Sequence, residues 1–482
     1  MNKTALLAVL PLVFSGTTAF AEASEEGAAH LAEVFQTYLG TTEGVVSVAV
    51  DGDAYAVTLD VAPLATMAAE AGGTLTVAPI EMTVADNGDG TWDVSQDQTF
   101  SFALSIPGQV DVTSTYGKMA FEGVFDEALM SFSTAKGEIA DAKTTQKMTD
   151  PNAGEVTTET TIASITFEMT GTPGAAGGVD GTYTSVATGY SGTFMTPASD
   201  GMPPMSMGYT VESASQTGTM TGLRPDPLYK AVAWFVAHPT VEAKEANKAG
   251  LKDILAAGLP YFSTVTGDLT AKNIAIASPM GEIGFDEALV NIEVNGAVAE
   301  GKLREGITLT GLRLPAGLVP DWAAPILPQK MKFDFQVSDF DAAAGVTTLL
   351  ELFDLPAGAE PDAAFEAKLM AAFLPGNSVS IGLNPGYLAG DGYELTYEGN
   401  IAVPMGDMPM PTGTAVITLT GIEKLQAALA AAPQDVQGQA MMGIGMAQGM
   451  AKPGPNGELV WEIDASTPGS LSVNGMPMMG GQ

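Results

Sequence analysis

The stretch "QTFSFALSI", residues 98–106, alternates apolar side chains with polar or small ones at every step. Phe100, Phe102, Leu104 and Ile106 occupy its apolar positions. Because successive side chains of a strand point to opposite faces of a sheet, this period of two predicts a strand with one dry face and one wet face.

The same alternation returns in "TTIASITFEMT" (160–170), "ALVNIEVNG" (288–296) and "KMKFDFQVSDF" (330–340). The expected dry side of these three stretches carries Ala163, Ile165, Phe167 and Met169, then Val290, Ile292 and Val294, then Phe333, Phe335 and Val337. In the last stretch, the expected wet side carries Lys332, Asp334 and Gln336. Such alternation is typical of antiparallel sheets covered on one side only.

Other segments have helical spacing. Helices are expected at about 27–39, at 225–259 with a break at Pro239, at 360–374, and at 422–432 with a continuation into a Met-rich stretch. In the first of these segments, one helical face carries Leu31, Val34, Phe35, Tyr38 and Leu39. The sequence therefore predicts a β-dominated α+β fold, in which long antiparallel sheets are capped by a few helices.

One pentapeptide occurs twice. "GVFDEALMSF" contains Phe125 to Leu129, and "IGFDEALVNI" contains Phe285 to Leu289. Each copy is followed by an alternating stretch and a Gly-marked turn, which favours two similar helix-plus-β-meander units. The expected units are residues 22–223 and 224–482.

The first residues have the pattern of an export signal. "MNKTALLAVLPLVFSGTTAFAEAS" has a basic start, an apolar run and the small-x-small site Ala19-Phe20-Ala21, so residues 1–21 are predicted to be a cleavable signal peptide. No later run reaches the roughly 18 apolar residues of a transmembrane helix. Because the chain has no Cys, it can form neither disulfides nor thiolate zinc sites. We expect an exported, periplasmic protein without a transmembrane helix.

The charge is strongly acidic. The chain has 19 basic and 56 acidic residues, a formal net charge of -37. Phosphate binding depends on Lys and Arg, so nucleic acid is not an expected partner. Solubility in a salty environment explains the charge, and a cationic partner is the alternative.

The loop "VADNGDGTWDVS", residues 84–95, has the composition of a calcium-binding loop. Placing Gly90 at position 6 of an EF-hand pattern puts Ala85 at position 1 and Gln96 at position 12, where carboxylates are required. Strand-like stretches flank the loop, and Asn-Gly and Asp-Gly favour hairpin turns. We predict a turn.

Signatures of catalysis are few. The chain has two His, His30 and His238, both on predicted helices. "STAK" (Ser133 to Lys136) matches a serine-enzyme pattern but lies in a β-like stretch, and the "GYSGT" around Ser191 lacks the spacing of a nucleophile elbow. We therefore predict a non-enzyme, with no catalytic, cofactor-binding or metal-binding residue assigned.

The 25 Met residues form clusters. These are Met202, Met205 and Met207; Met405, Met408 and Met410; Met441, Met442, Met446 and Met450; and Met476, Met478 and Met479. Thioethers suit Cu(I), whereas Met equally fills gaps or forms adaptable apolar surfaces.

"LPYFSTVTGDLTAKNIAIASPMGEIGFDEALVNIEVNG" (259–296) and "REGITLTGLRLPAGLVPDWAAPILPQKMKFDFQVSDFD" (304–341) resemble an alphaproteobacterial exported family of unassigned role, domain of unknown function twenty-one twenty-five. The resemblance is strongest over 259–353 and implies a compartment and a β-rich architecture, without site residues. "GELVWEIDASTPGSLSVNGMPM" (457–478) resembles the closing strands of AsmA-type envelope proteins. That resemblance implies long, curved sheets with an apolar groove for acyl chains.

The functional expectation is a non-enzymatic periplasmic protein that binds a lipid or another apolar ligand in a β-sheet groove. Two alternatives remain open from the sequence. One is an outer-membrane β-barrel, and the other is a Met-rich Cu(I)-binding protein.

Overall fold

The computed structural model describes residues 23–62, 72–150, 154–197, 204–405 and 410–479. Within these ranges the structure has 21 strands and 7 helices, with 54% of residues in strands and 23% in helices. The expected β-dominated α+β fold with long antiparallel strands is therefore confirmed. The expected signal peptide, residues 1–21, lies outside the described residues and stays a prediction.

The helices are α1 (Glu25–Leu39), α2 (Pro225–Ala237), α3 (Val241–Gly258), α4 (Ala342–Leu349), α5 (Ala363–Phe373), α6 (Ile422–Ala430) and α7 (Gln434–Met450). The strands of the first half are β1 (Val46–Asp51), β2 (Ala54–Leu59), β3 (Thr74–Val77), β4 (Ile80–Asp86), β5 (Thr91–Ile106), β6 (Val110–Asp126), β7 (Ser131–Asp150), β8 (Gly154–Pro173), β9 (Val179–Thr196) and β10 (Met205–Leu223). Those of the second half are β11 (Thr264–Ser278), β12 (Gly281–Asn295), β13 (Gly301–Thr310), β14 (Lys330–Phe340), β15 (Ser378–Gly390), β16 (Tyr393–Pro404), β17 (Thr412–Thr420), β18 (Lys452–Pro453), β19 (Leu459–Asp464), β20 (Leu471–Val473) and β21 (Met476–Met479).

The chain forms two compact units. The first comprises the described residues of Met1–Met205, Thr217–Ser263 and Leu350–Ala359, and the second those of Ser206–Gln216, Thr264–Leu349 and Glu360–Gln482. The expected boundary at 223/224 falls at the junction of β10 and α2, inside the first unit. Helix α2 belongs there because it packs on α1: the Tyr229 ring meets the Tyr38 ring edge-on at 6.4 Å. The Tyr229 hydroxyl also donates to the Met130 carbonyl at 2.8 Å.

In the first unit, antiparallel strands pair in the order β1, β2, β4, β5, β6, β7, β8 and β9, and β3 pairs with β5. Helix α1 covers one end of the apolar face. The Ser24 side chain caps this helix by accepting a hydrogen bond from the Gly27 N–H at 3.1 Å. Leu31 and Phe35 are 1% and 2% exposed, which confirms the apolar helical face expected from the sequence. Their partners in the core are Tyr55, Val57, Leu59, Val84, Trp92, Val94, Phe125, Phe132 and Ala135.

A line of irregular residues crosses β6 to β9. By register, Gly117, Asp141, Ala163 and Gly189 lie opposite one another, and Asp141 and Gly189 have positive φ angles of 52° and 60°. β5 has no matching extra residue, so its pairing with β6 shifts between Gln98 and Phe100. The four strands keep their register with one another across this line and share one extra residue relative to β5, which is a β-bulge continued from strand to strand; we call it the bulge line.

The bulge line changes which positions of each strand are apolar. In β6 these are Phe121 and Met119 on one side of the line and Tyr116 and Val112 on the other. Because each bulge adds one residue, both sets stay on the same face. Ala163 was expected to share a side with Ile165, but it lies in the bulge line and is exposed. A period of two cannot locate the extra residue that interrupts it.

In the second unit, β11 to β17 form an antiparallel meander in chain order, followed by β19, β20 and β21. Helices contact these strands or the residues just after them. The Trp461 indole N–H of β19 donates to the Ala447 carbonyl of α7 at 2.8 Å. The Asp341 N–H, just after β14, donates to the Phe373 carbonyl at the end of α5 at 2.8 Å.

Two expectations need correction. The sheet is open and uncurled in each unit, so the curvature implied by the resemblance to AsmA-type proteins is not found. Alternation reports which side chains share a face and contains no information about bending. The repeated pentapeptide also does not mark equivalent positions: Phe125 and Asp126 end β6 before a turn, whereas Phe285 to Leu289 lie within β12.

The core under α1 yields a stability prediction. Phe125 is 1% exposed and packs edge-on against Phe132 with ring centroids 5.5 Å apart. Truncating a buried Phe leaves a cavity, so Phe125→Ala should lower the free energy of unfolding by about 3–5 kcal/mol in urea titrations. Phe194→Ala, at a ring that is 37% exposed, is the matched control and should lower it by less than about 1 kcal/mol. Equal effects of both changes would contradict this assignment of the core.

Candidate functional site

The apolar face of the second unit is the candidate site. Cross-strand register places side chains of five neighbouring strands, β11 to β15, on one face. The middle of that face, which we call the open face, consists of Leu269, Val290, Ile292, Val294, Leu303, Ile307, Phe333, Phe335, Val337 and Leu383.

The open face is accessible to solvent. Leu269, Ile292, Leu303 and Phe335 are 40%, 45%, 45% and 43% exposed. Single exposed apolar side chains are common on proteins, but contiguous ones mark binding surfaces or association sites. The register makes these side chains contiguous, because Ile292 of β12 and Phe335 of β14 both pair with the same residue of β13.

The sequence predicted this grouping of side chains but not which group is covered. Phe335 was expected on the dry side, yet it is 43% exposed, and Asp334 was expected on the wet side, yet it is 2% exposed. The physical reason lies in where the covering elements pack. Among the described residues, the covering is at one end of the apolar face, where Leu419 is 6% exposed, while side chains in the middle remain exposed.

A carboxylate lies at the centre of the open face. Glu305 takes an apolar position in β13, between Leu303 and Ile307, and its direct cross-strand partners are Ile292 and Phe335. Its side chain is exposed and has neither an ion pair nor a side-chain hydrogen bond within the described ranges. We did not single out Glu305 from the sequence. The signal was present in "KLREGITLT" (302–310), where one acid interrupts an otherwise apolar alternation.

The opposite face of the same strands contains an ionic network around one buried carboxylate, Asp334. Arg304 donates from Nε to Asp334 Oδ1 at 2.9 Å and from Nη2 to Oδ2 at 2.8 Å. Asn384 donates to Asp334 Oδ1 at 2.7 Å, and Lys332 Nζ lies 3.3 Å from Oδ2. Gly306, the residue opposite Asp334 in β13, has no side chain to occupy this space. The hydrogen bonds from Arg304, supported by those from Asn384 and Lys332, hold the pKa of Asp334 well below its usual value.

The first unit has a charged depression on its polar face. It has a volume of about 1280 Å³ and crosses seven strands, with three consecutive residues lining it on most of them. Lys118 Nζ pairs with Glu138 and Lys136 Nζ with Glu122, both at 2.7 Å. These hydrogen bonds, and the charges of the same carboxylates, raise the pKa of both lysines.

Further acids line the same depression: Glu81, Asp97 and Glu168. The two lysines are already paired, so these acids leave the depression with a net negative charge. An anionic ligand is therefore disfavoured there.

The loop at 84–95 is the turn of the β4–β5 hairpin. Asp86 pairs with Trp92, and Gly88 and Gly90 supply positive φ angles of 75° and 85°. The Asp86 carboxylate accepts from the Gly88 N–H at 2.7 Å, and the Asp89 carboxylate accepts from the Thr91 N–H at 3.0 Å. The acids of this loop stabilise their own turn.

The other residues singled out from the sequence are engaged locally. Ser133 Oγ donates to the Val124 carbonyl at 3.1 Å, and the Ser191 hydroxyl bonds the Thr161 hydroxyl at 2.7 Å. His238 Nδ1 lies 2.7 Å from the Trp234 carbonyl. His30 is on α1, and the structure brings neither serine together with a histidine at hydrogen-bond distance in the described residues.

The Met clusters lie mostly at the surface. Met442 and Met446 are 65% and 62% exposed, one turn apart on α7. Met410 is 55% exposed, whereas Met202 and Met408 lie outside the described residues. These positions are those of an adaptable apolar surface rather than of a packed core.

Comparison with protein-family models, with curated proteins and with solved structures found no match to this chain. The resemblances to the exported family and to AsmA-type proteins therefore stay predictions. Of the helices in the described ranges, none combines the length and apolar character needed to cross a membrane.

The Asp334 network yields a prediction on pH and stability. Arg304→Met keeps the apolar stem but removes the bidentate partner of a buried carboxylate. It should lower the free energy of unfolding by about 2 kcal/mol at pH 7, less than for an isolated pair because Lys332 and Asn384 remain. Folding lowers the pKa of Asp334, so its ionised carboxylate stabilises the folded state fully above the unfolded-state pKa of about 4. This stabilisation is lost progressively as the pH falls below that value.

Urea titrations of the wild type and of Arg304→Met at pH 7, 5 and 3 measure the difference between their free energies of unfolding. This difference should become smaller only at pH 3. Lys136→Met, which breaks an exposed ion pair, is the control and should leave the unfolding midpoint unchanged. A difference that is constant down to pH 3 would show that Arg304 stabilises by packing alone.

Proposed function

We propose that this chain is an exported, non-catalytic binding protein whose second unit holds a lipid or another apolar ligand on the open face. The observation that carries the proposal is the contiguous exposure of Leu269, Ile292, Leu303 and Phe335 in the middle of a sheet whose end is covered. The exported location rests on the predicted signal peptide at residues 1–21.

The energetics favour an apolar ligand. Fully burying one Leu, Ile or Phe side chain contributes roughly 1.5–3 kcal/mol. The four side chains are less than half exposed, so covering them contributes part of that amount for each. Because their strands are rigidly paired, the surface is formed before the ligand arrives, and binding costs little ordering of the protein.

The electrostatics restrict the ligand. With a net charge of -37, the surface disfavours polyanions such as nucleic acid. We place the protein among binding proteins rather than enzymes because Ser133 and Ser191, the candidate nucleophiles of the sequence, bond to neighbouring strands instead of to a base.

Polar substitution of the open face tests the proposal. The double change Ile292→Ser and Phe335→Ser should abolish the binding of a fluorescent fatty alcohol and of any lipid that co-purifies in native mass spectra, since it removes apolar area at the centre of the surface. Val186→Ser, at a side chain of similar exposure (44%) in the first unit, is the matched control and should bind like the wild type. Thermal unfolding of all variants checks that they fold.

The proposal fails if the wild type binds no apolar ligand by either measurement. It also fails if the double variant, once shown to be folded, binds as tightly as the wild type.

A further inference from the structure

The open face contains one carboxylate, Glu305, with which a purely hydrocarbon ligand cannot form a hydrogen bond or an ion pair. We propose that this face binds a single-chain amphiphile that carries a cationic amine, and that Glu305 pairs with this amine. This inference rests on the proposed function and specifies the ligand class.

The surroundings of Glu305 carry the inference. All eight side chains around Glu305 on this face are apolar. Two belong to its direct cross-strand partners, two to the residues two positions away along β13, and four to its diagonal neighbours on β12 and β14. They are Ile292, Phe335, Leu303, Ile307, Val290, Val294, Phe333 and Val337. A lone carboxylate is thus ringed on its own face by eight apolar side chains.

The cations nearest in the register cannot neutralise this carboxylate. Lys302 and Arg304 both precede Glu305 on β13, but they point to the opposite face, where Lys302 pairs with Glu293 at 2.7 Å and Arg304 with Asp334. Lys332 is on that opposite face as well. The charge of Glu305 is therefore satisfied by water when the face is free.

Covering the open face removes this water. An alkyl chain alone would leave the carboxylate partly desolvated and unpaired, which offsets part of the gain from the apolar contacts. An ammonium group placed at Glu305 would replace the water with a charge-assisted hydrogen bond while the chain covers the apolar ring. A carboxylate head group would add like-charge repulsion at the same place.

The size of the surface favours a small amphiphile over a protein partner. Four strand spacings separate β11 from β15, so the open face measures about 19 Å across the strands and about 14 Å along them. That area is well below the roughly 800 Å² per partner of a stable protein interface. It suits one alkyl chain.

The experiment compares three probes of the same chain length, dodecylamine, dodecanol and dodecanoate, below their micelle concentrations, by isothermal titration calorimetry at physiological salt. The wild type should bind dodecylamine at least tenfold more tightly than dodecanol, and dodecanoate most weakly. Glu305→Gln should remove this preference for the amine and bind dodecanol at least as tightly as the wild type does. Glu398→Gln, at an exposed acid on the opposite face of β16, removes the same charge and should keep the preference.

The outcomes separate this inference from the proposed function. Equal affinities of the amine and the alcohol, or a preference that persists in Glu305→Gln, would overturn the inference and leave apolar binding intact. A preference lost equally in Glu398→Gln would overturn it too, because the amine would then be responding to the overall charge. If no probe binds the wild type, both proposals fall.

Discussion

Residues paired across antiparallel strands lie on the same face of a sheet, and the rest of this structure depends on that constraint. A single extra residue in one strand would turn every later apolar side chain to the other face. In β6 to β9 the extra residues occur side by side, at Gly117, Asp141, Ala163 and Gly189, so the four strands shift together. Strands of up to 20 residues can then keep one continuous apolar face.

Local features of this fold could be predicted from the sequence, because periodicity is local. Residues 98–106 lie in β5 as their alternation indicated, and α1 buries the face that its spacing marked. The bulge line could not be predicted, since Asp141 and Ala163 resemble strand interior until their partners are known. The same holds for the "FDEAL" pentapeptide, whose identical letters form a strand end in one copy and a mid-strand segment in the other.

The candidate site was half predictable for the same reason. Alternation identified Ile292 and Phe335 as residues of one face, but their exposure depends on which parts of the sheet the helices reach. Asp334 and Glu305 show that the face on which a carboxylate lies determines whether it finds hydrogen-bond partners within the protein. They lie on neighbouring strands one register step apart, yet Asp334 is held by Arg304 and Asn384 while Glu305 faces solvent among apolar side chains.

An uncovered apolar face invites association with a second copy, and Glu305 opposes it. Stacking two open faces would bring each carboxylate against the apolar ring of the other copy and remove its water without supplying a cation. The net charge of -37 adds repulsion between whole chains. An amphiphile with an ammonium group meets neither obstacle, because it supplies the missing charge and is attracted by the surface. On the proposal made above, the carboxylate that opposes self-association of this face is also the group that selects its ligand.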